Sequence, residues 1–243
     1  MREMLQLLDY QQVYDNFQAP IAKFDCGKKC APYNPGGKPF CCDTSHAVPT
    51  AYNAEWDYLK NHTDLWHRWN AEDTGLPLEE AHAEIARLHA ETPSGMVLIA
   101  CLGPERCQRE YRALTCRQFP FFPYIDSDGE FIGLSYYWDY EEVCWVISNL
   151  HIVEPDYRQQ FIESFELIFQ EMPEELRSYK YYSEEMRDVY NQKRRAIPLL
   201  HRNGHAYKIS THNERMRRVP LEKMPKFGPY KLAAKMPFPD EIV

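Results

Sequence analysis

Eight cysteines, most of them in loop-forming sequence, constrain this chain more than any other feature. Residues 21–50 contain four of them, together with four prolines and three glycines. Prolines and glycines at this density indicate a loop, and so long a loop needs a partner to order it. The cysteines are Cys26, Cys30, Cys41, Cys42, Cys101, Cys107, Cys116 and Cys144.

Their spacing separates two clusters from one isolated residue. The first cluster reads C-x3-C-x10-C-C, the second C-x5-C-x8-C, and Cys144 stands alone. Inert buried thiols do not favour loops rich in proline and glycine, so metal ligation is the better explanation for the first seven. Cys144 lies between the apolar residues Val143 and Trp145. This context is equally compatible with an inert buried thiol and with a metal ligand.

The expected compartment also favours metal ligation over disulfides. The N-terminal residues lack the apolar run of a signal peptide, and no apolar stretch approaches the ~20 residues of a membrane span. We therefore expect a cytoplasmic protein that makes no contact with a membrane. Thiols stay reduced in the cytoplasm, so clustered cysteines there are metal ligands more often than disulfides.

Spacing favours an iron–sulfur cluster, with zinc as the alternative. Neither cysteine cluster contains the paired C-x2-C of structural zinc sites. The adjacent pair Cys41 and Cys42 suits a larger group, because its two thiolates could reach different iron atoms. A cluster of the 4Fe–4S type is therefore the favoured cofactor. Cys26 and Cys30 match the first two cysteines of the C-x3-C-x2-C motif of radical adenosylmethionine enzymes, but Tyr33 stands where the motif requires the third. The sequence therefore does not indicate an enzyme of that class.

Cations close to the cysteines are candidates for stabilising a negatively charged cluster. Lys28 and Arg117 lie within two residues of a cysteine, and we predict that they contact the cofactor. Catalytic residues are not indicated by any motif.

The two cysteine segments resemble a known family. FDCGKKC…FCCD followed by CLGPERC…LTCRQFPF is similar to the YkgJ-like cysteine-cluster family of the CxxCxxxCC type, over roughly residues 24–145. Cys116, Arg117, Phe119 and Pro120 match its later Cys-Arg-x-Phe-Pro element. Ten residues separate Cys30 from Cys41, where the family has two or three. The resemblance implies a bound iron–sulfur or zinc centre, and most members have no established reaction.

Apolar periodicity and turn residues predict an α+β fold, with a small antiparallel sheet, packed helices and the cysteine-rich loops at one end. An Asp-Gly step between two apolar runs predicts a hairpin around residues 126–129. The other predicted elements are helices over 50–69, from Pro77, from Pro155 and over 174–203, and strands at 96–100 and 205–210.

Charge divides the chain unevenly. The net charge is −8, yet residues 191–243 carry 12 Lys and Arg against 4 Asp and Glu. We predict a metal-binding domain over residues 1–190 and a basic extension, 191–243, that packs on it or projects from it. The basic residues form no dense run, so nucleic acid is not the expected partner. Three functions remain open: a redox or cluster-dependent enzyme such as an iron–sulfur oxidoreductase, a zinc-stabilised binding module with an unknown protein partner, and metal storage or delivery.

Overall fold

A computed structural model describes residues 8–233 of the chain, and these residues form an α+β fold with two antiparallel sheets. The predicted fold class is confirmed. The helices are α1 Tyr10–Asn16, α2 Gly27–Cys30, α3 Asn53–His62, α4 Leu78–Glu91, α5 Leu114–Gln118, α6 Pro155–Glu171, α7 Pro173–Gln192 and α8 Tyr230–Ala233. None of the helices within this part of the chain is long and apolar enough to cross a membrane.

The smaller sheet has three strands in the order β1-β3-β2: β1 Thr50–Tyr52, β2 Trp66–Arg68 and β3 Met96–Cys101. The central strand β3 pairs antiparallel with both neighbours, and its last residue Cys101 lies opposite Trp66. The helix predicted over 50–69 is therefore confirmed only in its middle, as α3, and the two ends of the predicted range form the short strands β1 and β2. Both strands pair with β3, and this long-range pairing overrides the local helical pattern.

The larger sheet is an antiparallel meander in the order β4-β5-β6-β7-β8. The predicted hairpin is confirmed as its first two strands. The strands are β4 Phe121–Ile125, β5 Phe131–Tyr136, β6 Ile197–His201, β7 Ala206–Ile209 and β8 Met216–Arg218. The helix predicted to run to residue 203 ends at Gln192, and residues 197–201 form the buried strand β6 instead.

The basic C-terminal segment takes part in this sheet. Its strands β6, β7 and β8 continue the sheet from β5, and Phe227 and Tyr230 are buried in the main hydrophobic core. Residues 191–233 thus share a sheet and a core with the preceding part of the chain. The rest of the predicted extension, residues 234–243, lies outside the described residues.

Aromatic side chains fill the space between the sheets and the helices. Phe17, Phe121, Tyr157 and Phe161 are almost completely buried, and their rings contact one another. Phe17 follows α1, whereas Tyr157 and Phe161 belong to α6, so this contact joins the start of the chain to its middle. A cavity lined in part by Phe17 and Tyr157 lies beside this packed aromatic core.

Candidate metal centre

All eight cysteines line a single cavity of about 470 Å³. Each of them carries a free thiol. The cysteines come from three stretches of the chain, residues 26–42, 101–116 and Cys144, which the fold brings to one place. The structure therefore assembles the set that the sequence showed only as separate clusters.

The first stretch carries Cys26 at the start of α2, Cys30 at its end, and the vicinal pair in a single 3-10 turn, Phe40–Cys42. The side chain of buried Asn34 holds the loop that runs from Cys30 to the vicinal pair. Its side-chain amide donates to the Lys38 carbonyl at 3.0 Å and to Asp43 Oδ2 at 2.9 Å. Protein contacts therefore supply part of the order that the sequence alone attributed to a metal.

Cys41 and Cys42 place their sulfur atoms 4.0 Å apart. A hydrogen bond from the Cys41 thiol lowers the pKa of Cys42, and the Arg112 guanidinium lowers it further. The same hydrogen bond raises the pKa of Cys41, as does its burial. Cys42 is therefore the member of the pair that becomes a thiolate first.

The second stretch is anchored on the smaller sheet. Cys101 is the last residue of β3, Cys107 follows a short 3-10 turn, and Cys116 lies on α5. The Thr115 hydroxyl donates to the Thr50 carbonyl at 2.8 Å, which ties α5 to β1. Because β1 begins eight residues after Cys42 and pairs with β3, this small sheet brings the two cysteine stretches together.

Cys144 belongs to the same cavity, although its sequence context left its role open. It is 8% exposed and packs in the main core. Burial raises the pKa of its thiol, while the backbone N–H groups of Ile147 and Val146 act in the opposite direction. Backbone N–H groups that face a sulfur atom stabilise its thiolate form, as they do in iron–sulfur sites.

Arg112 is the cation that the sequence reasoning missed. Its Nε donates to Cys107 Sγ at 3.1 Å, and its charge also acts on Cys42 and Cys116. Arg112 lies five residues after Cys107 and four before Cys116. This position between two predicted ligands is the sequence feature from which its role near the thiols could have been predicted.

The two cations named from the sequence have different surroundings. Arg117 is buried at the cavity wall, but its guanidinium donates to the backbone carbonyls of Phe17, Glu110 and Arg112. Lys28 is exposed and is not among the residues that line the cavity. Arg112 therefore donates a hydrogen bond to a cysteine sulfur, whereas Lys28 lies outside the cavity wall.

Most of the thiols are held in their neutral form when no metal is bound. Burial raises the pKa of Cys26 to about 12 and also raises the pKa of Cys116. A metal must displace these protons, because only the thiolate is a ligand. Any metal that bound these thiols would therefore release protons.

The donor set fits an iron–sulfur cluster in its chemistry, because such clusters are held by cysteine thiolates. Among residues 8–233, no group of three His, Cys, Asp or Glu side chains is placed so that it could hold a metal ion. The thiols are instead distributed along the wall of a cavity. A group with several metal atoms suits that distribution better than one tetrahedral ion, whose four ligands must converge on a point.

Comparison with known proteins adds no relative. No family model matches the chain, and neither a curated protein nor a solved structure matches it. The cavity and its residues are therefore the basis for assigning a function to the chain.

Proposed function

We propose that the cavity holds an iron–sulfur cluster of the 4Fe–4S type and that the protein acts in electron transfer or in a cluster-dependent reaction. The observation that carries this proposal is the presence of eight free thiols around one cavity. A 4Fe–4S cluster supplies a one-electron redox centre when it is bound.

Membership of the YkgJ-like family forms part of the same proposal. Its Cys-Arg-x-Phe-Pro element corresponds to Cys116, Arg117, Phe119 and Pro120, and all four residues line the cavity. The element therefore lies at the proposed centre, which supports the resemblance on structural grounds. A cytoplasmic location, where free thiols persist, is also proposed.

The chain's own residues would keep such a group dry and tune its charge. Apolar side chains of Phe40, Trp145 and Tyr157 at the cavity wall are buried and limit the access of water. Arg112 offsets negative charge, and the N–H groups beside Cys144 donate towards sulfur. Burial and hydrogen bonding are the means by which a protein sets the potential of a cluster.

Anaerobic purification followed by metal and sulfide analysis tests the proposal. We expect a brown protein whose visible absorbance is bleached by dithionite and whose iron is matched by acid-labile sulfide. A colourless protein with stoichiometric zinc would contradict the proposal and favour a zinc-stabilised binding module. Labile metal without sulfide would instead indicate storage or delivery.

Arg112→Gln is expected to lower the reduction potential of the bound cluster. Loss of one positive charge beside Cys107 destabilises the more negative, reduced state. A charged hydrogen bond is worth ~2 kcal/mol, which corresponds to roughly 50–100 mV for a one-electron couple. The measurement is a redox titration followed by electron paramagnetic resonance.

Arg106→Gln is the matched control, since it removes an equal charge from an exposed position that does not line the cavity. An equal shift in both variants would show that only the overall charge matters. A shift confined to Arg112→Gln supports its contact with the centre.

A further inference from the structure

We propose that a surface beside the cavity, formed by residues 23–38 and 221–231 and called here the lysine face, docks a small acidic protein that carries one electron. The reduced carrier loses one electron to the cluster, and no bond is made or broken. This inference rests on the proposed function and adds the class of partner and the place where it binds.

Positive charge is concentrated on the lysine face, although the chain as a whole is acidic. Residues 23–38 contain four lysines against one aspartate, and residues 221–231 contain three lysines against one glutamate. The two segments thus carry a net charge of +5, whereas the whole chain carries −8. A positive patch on an acidic molecule orients an approaching acidic protein towards that patch.

The two segments lie next to each other, although about two hundred residues of sequence separate them. The rings of Tyr33 and Tyr230 meet edge to face, with their centres 5.3 Å apart. Lys226 Nζ donates to Asn149 Oδ1 at 3.3 Å, and the Asn149 amide donates to the Trp145 carbonyl at 2.8 Å. The segments are therefore neighbours in the fold, and their charges act together on an approaching molecule.

Two aromatic side chains among these lysines are exposed to solvent. Phe24 is 42% exposed and Tyr33 is 46% exposed. Lys29 Nζ lies 5.7 Å from the centre of the Phe24 ring. Aromatic rings are enriched in protein–protein interfaces, whereas charged residues are found mainly at the rim. The lysine face thus combines apolar contact area with surrounding positive charge.

The first segment also forms the wall between solvent and the thiols. Phe24, Cys26 and Cys30 all line the cavity, and Phe24 is exposed as well. The Phe24 ring contacts the ring of Trp145, the residue after Cys144, with centres 5.4 Å apart. A carrier docked on this face would therefore lie one chain segment away from the proposed centre, so the path of its electron would be short.

The kind of cation favours an acidic protein over a nucleic acid as the partner. Neither segment contains arginine. Arginine is the residue best suited to phosphate groups, because its guanidinium donates two parallel hydrogen bonds to them. The ammonium group of lysine stays strongly hydrated, and exposed lysines make salt-sensitive contacts that suit a transient complex.

Binding of the full chain to a strongly acidic 2Fe–2S ferredoxin of the plant type tests the inference, with and without reconstituted iron and sulfide. We expect binding in both forms, weakened about tenfold or more between about 50 and 500 mM salt, because salt screens exposed charges. Cytochrome c, a basic carrier, should not bind. Reduced ferredoxin should pass one electron to the loaded chain, which rapid-mixing absorbance follows.

Lys23→Glu with Lys223→Glu reverses one charge in each segment, and both residues are exposed and lie outside the cavity wall. We expect roughly tenfold weaker binding of ferredoxin and an unchanged iron content. Lys60→Glu with Lys180→Glu is the matched control, because it makes the same change in net charge on α3 and α7. Lys23 and Lys60 each form one ion pair, so each variant also breaks one.

Equal weakening in the two double variants would show that only the overall charge matters and would refute the lysine face. Tighter binding of single-stranded RNA than of ferredoxin would refute an acidic protein as the partner. Failure of ferredoxin to bind a chain that holds iron and sulfide would overturn the inference and leave the proposed function standing. Binding at the lysine face by a chain that takes up no iron and sulfide would instead remove the proposed function.

Discussion

A Cys41→Ser, Cys42→Ser double variant is expected to retain almost no iron after anaerobic reconstitution. The two sulfur atoms lie 4.0 Å apart, and both residues line the cavity. Serine is similar in size to cysteine but supplies no thiolate. Because metal–thiolate bonds contribute to the free energy of folding of a metal-bound protein, their loss should also lower the stability of the metal-bound form. Iron analysis and visible absorbance measure the loss.

Ser45→Ala is a control in the same loop. Its hydroxyl donates to Asp43 at 2.7 Å on an exposed part of the loop, and its removal should leave the iron content unchanged. Retention of full iron and sulfide by the double variant would show that the pair binds no metal. A similar loss from Ser45→Ala would mean that the loop, rather than its thiols, controls binding.

Local sequence signals predicted the elements that local interactions determine. The Asp-Gly turn predicted the hairpin of β4 and β5, and Pro77 and Pro155 marked the starts of α4 and α6. The helix predicted over 174–203 was wrong at residues 197–201, which form β6. Pro198 already argued against that helix, because proline breaks a helix interior. Buried Leu199 and Leu200 favour a strand between two partners.

The composition of the candidate site was predictable, but its assembly was not. Loop-forming residues around the cysteines indicated metal ligation. The convergence of the clusters depends on the pairing of β1 with β3, which joins residues nearly fifty positions apart. The placement of Cys144 near Cys26 likewise depends on the packed core, because Cys144 belongs to the main core cluster and Cys26 packs against that cluster. Long-range contacts of this kind leave no local pattern in a single sequence.

Arg117→Ala is expected to destabilise the metal-free protein by about 2–4 kcal/mol, because it leaves one buried and two part-buried carbonyls without a donor, and a buried group left unsatisfied costs about 1–3 kcal/mol. The guanidinium donates to the carbonyls of Phe17, Glu110 and Arg112, which lie in α1's exit and in the turn before α5. It also lies 4.2 Å from the centre of the Tyr14 ring. Urea denaturation of the reduced, metal-free chain measures the change without a contribution from a bound cluster.

A buried carboxylate makes the loss larger. Glu55 is completely buried and accepts hydrogen bonds from the Tyr14 hydroxyl at 2.7 Å and the Leu114 N–H at 2.6 Å. Burial raises the pKa of Glu55, and the nearby Arg117 charge lowers it. Without Arg117, Glu55 keeps its hydrogen-bond donors but loses a nearby positive charge, which makes a negative charge at this buried position more costly.

Adding Glu55→Gln to Arg117→Ala should therefore recover part of the lost stability, since it removes the charge left without a cation. Arg202→Ala is the control for loss of an arginine, because its ion pair with Glu166 is exposed and such pairs contribute little. A loss no greater for Arg117→Ala than for Arg202→Ala would show that the three carbonyls find other donors.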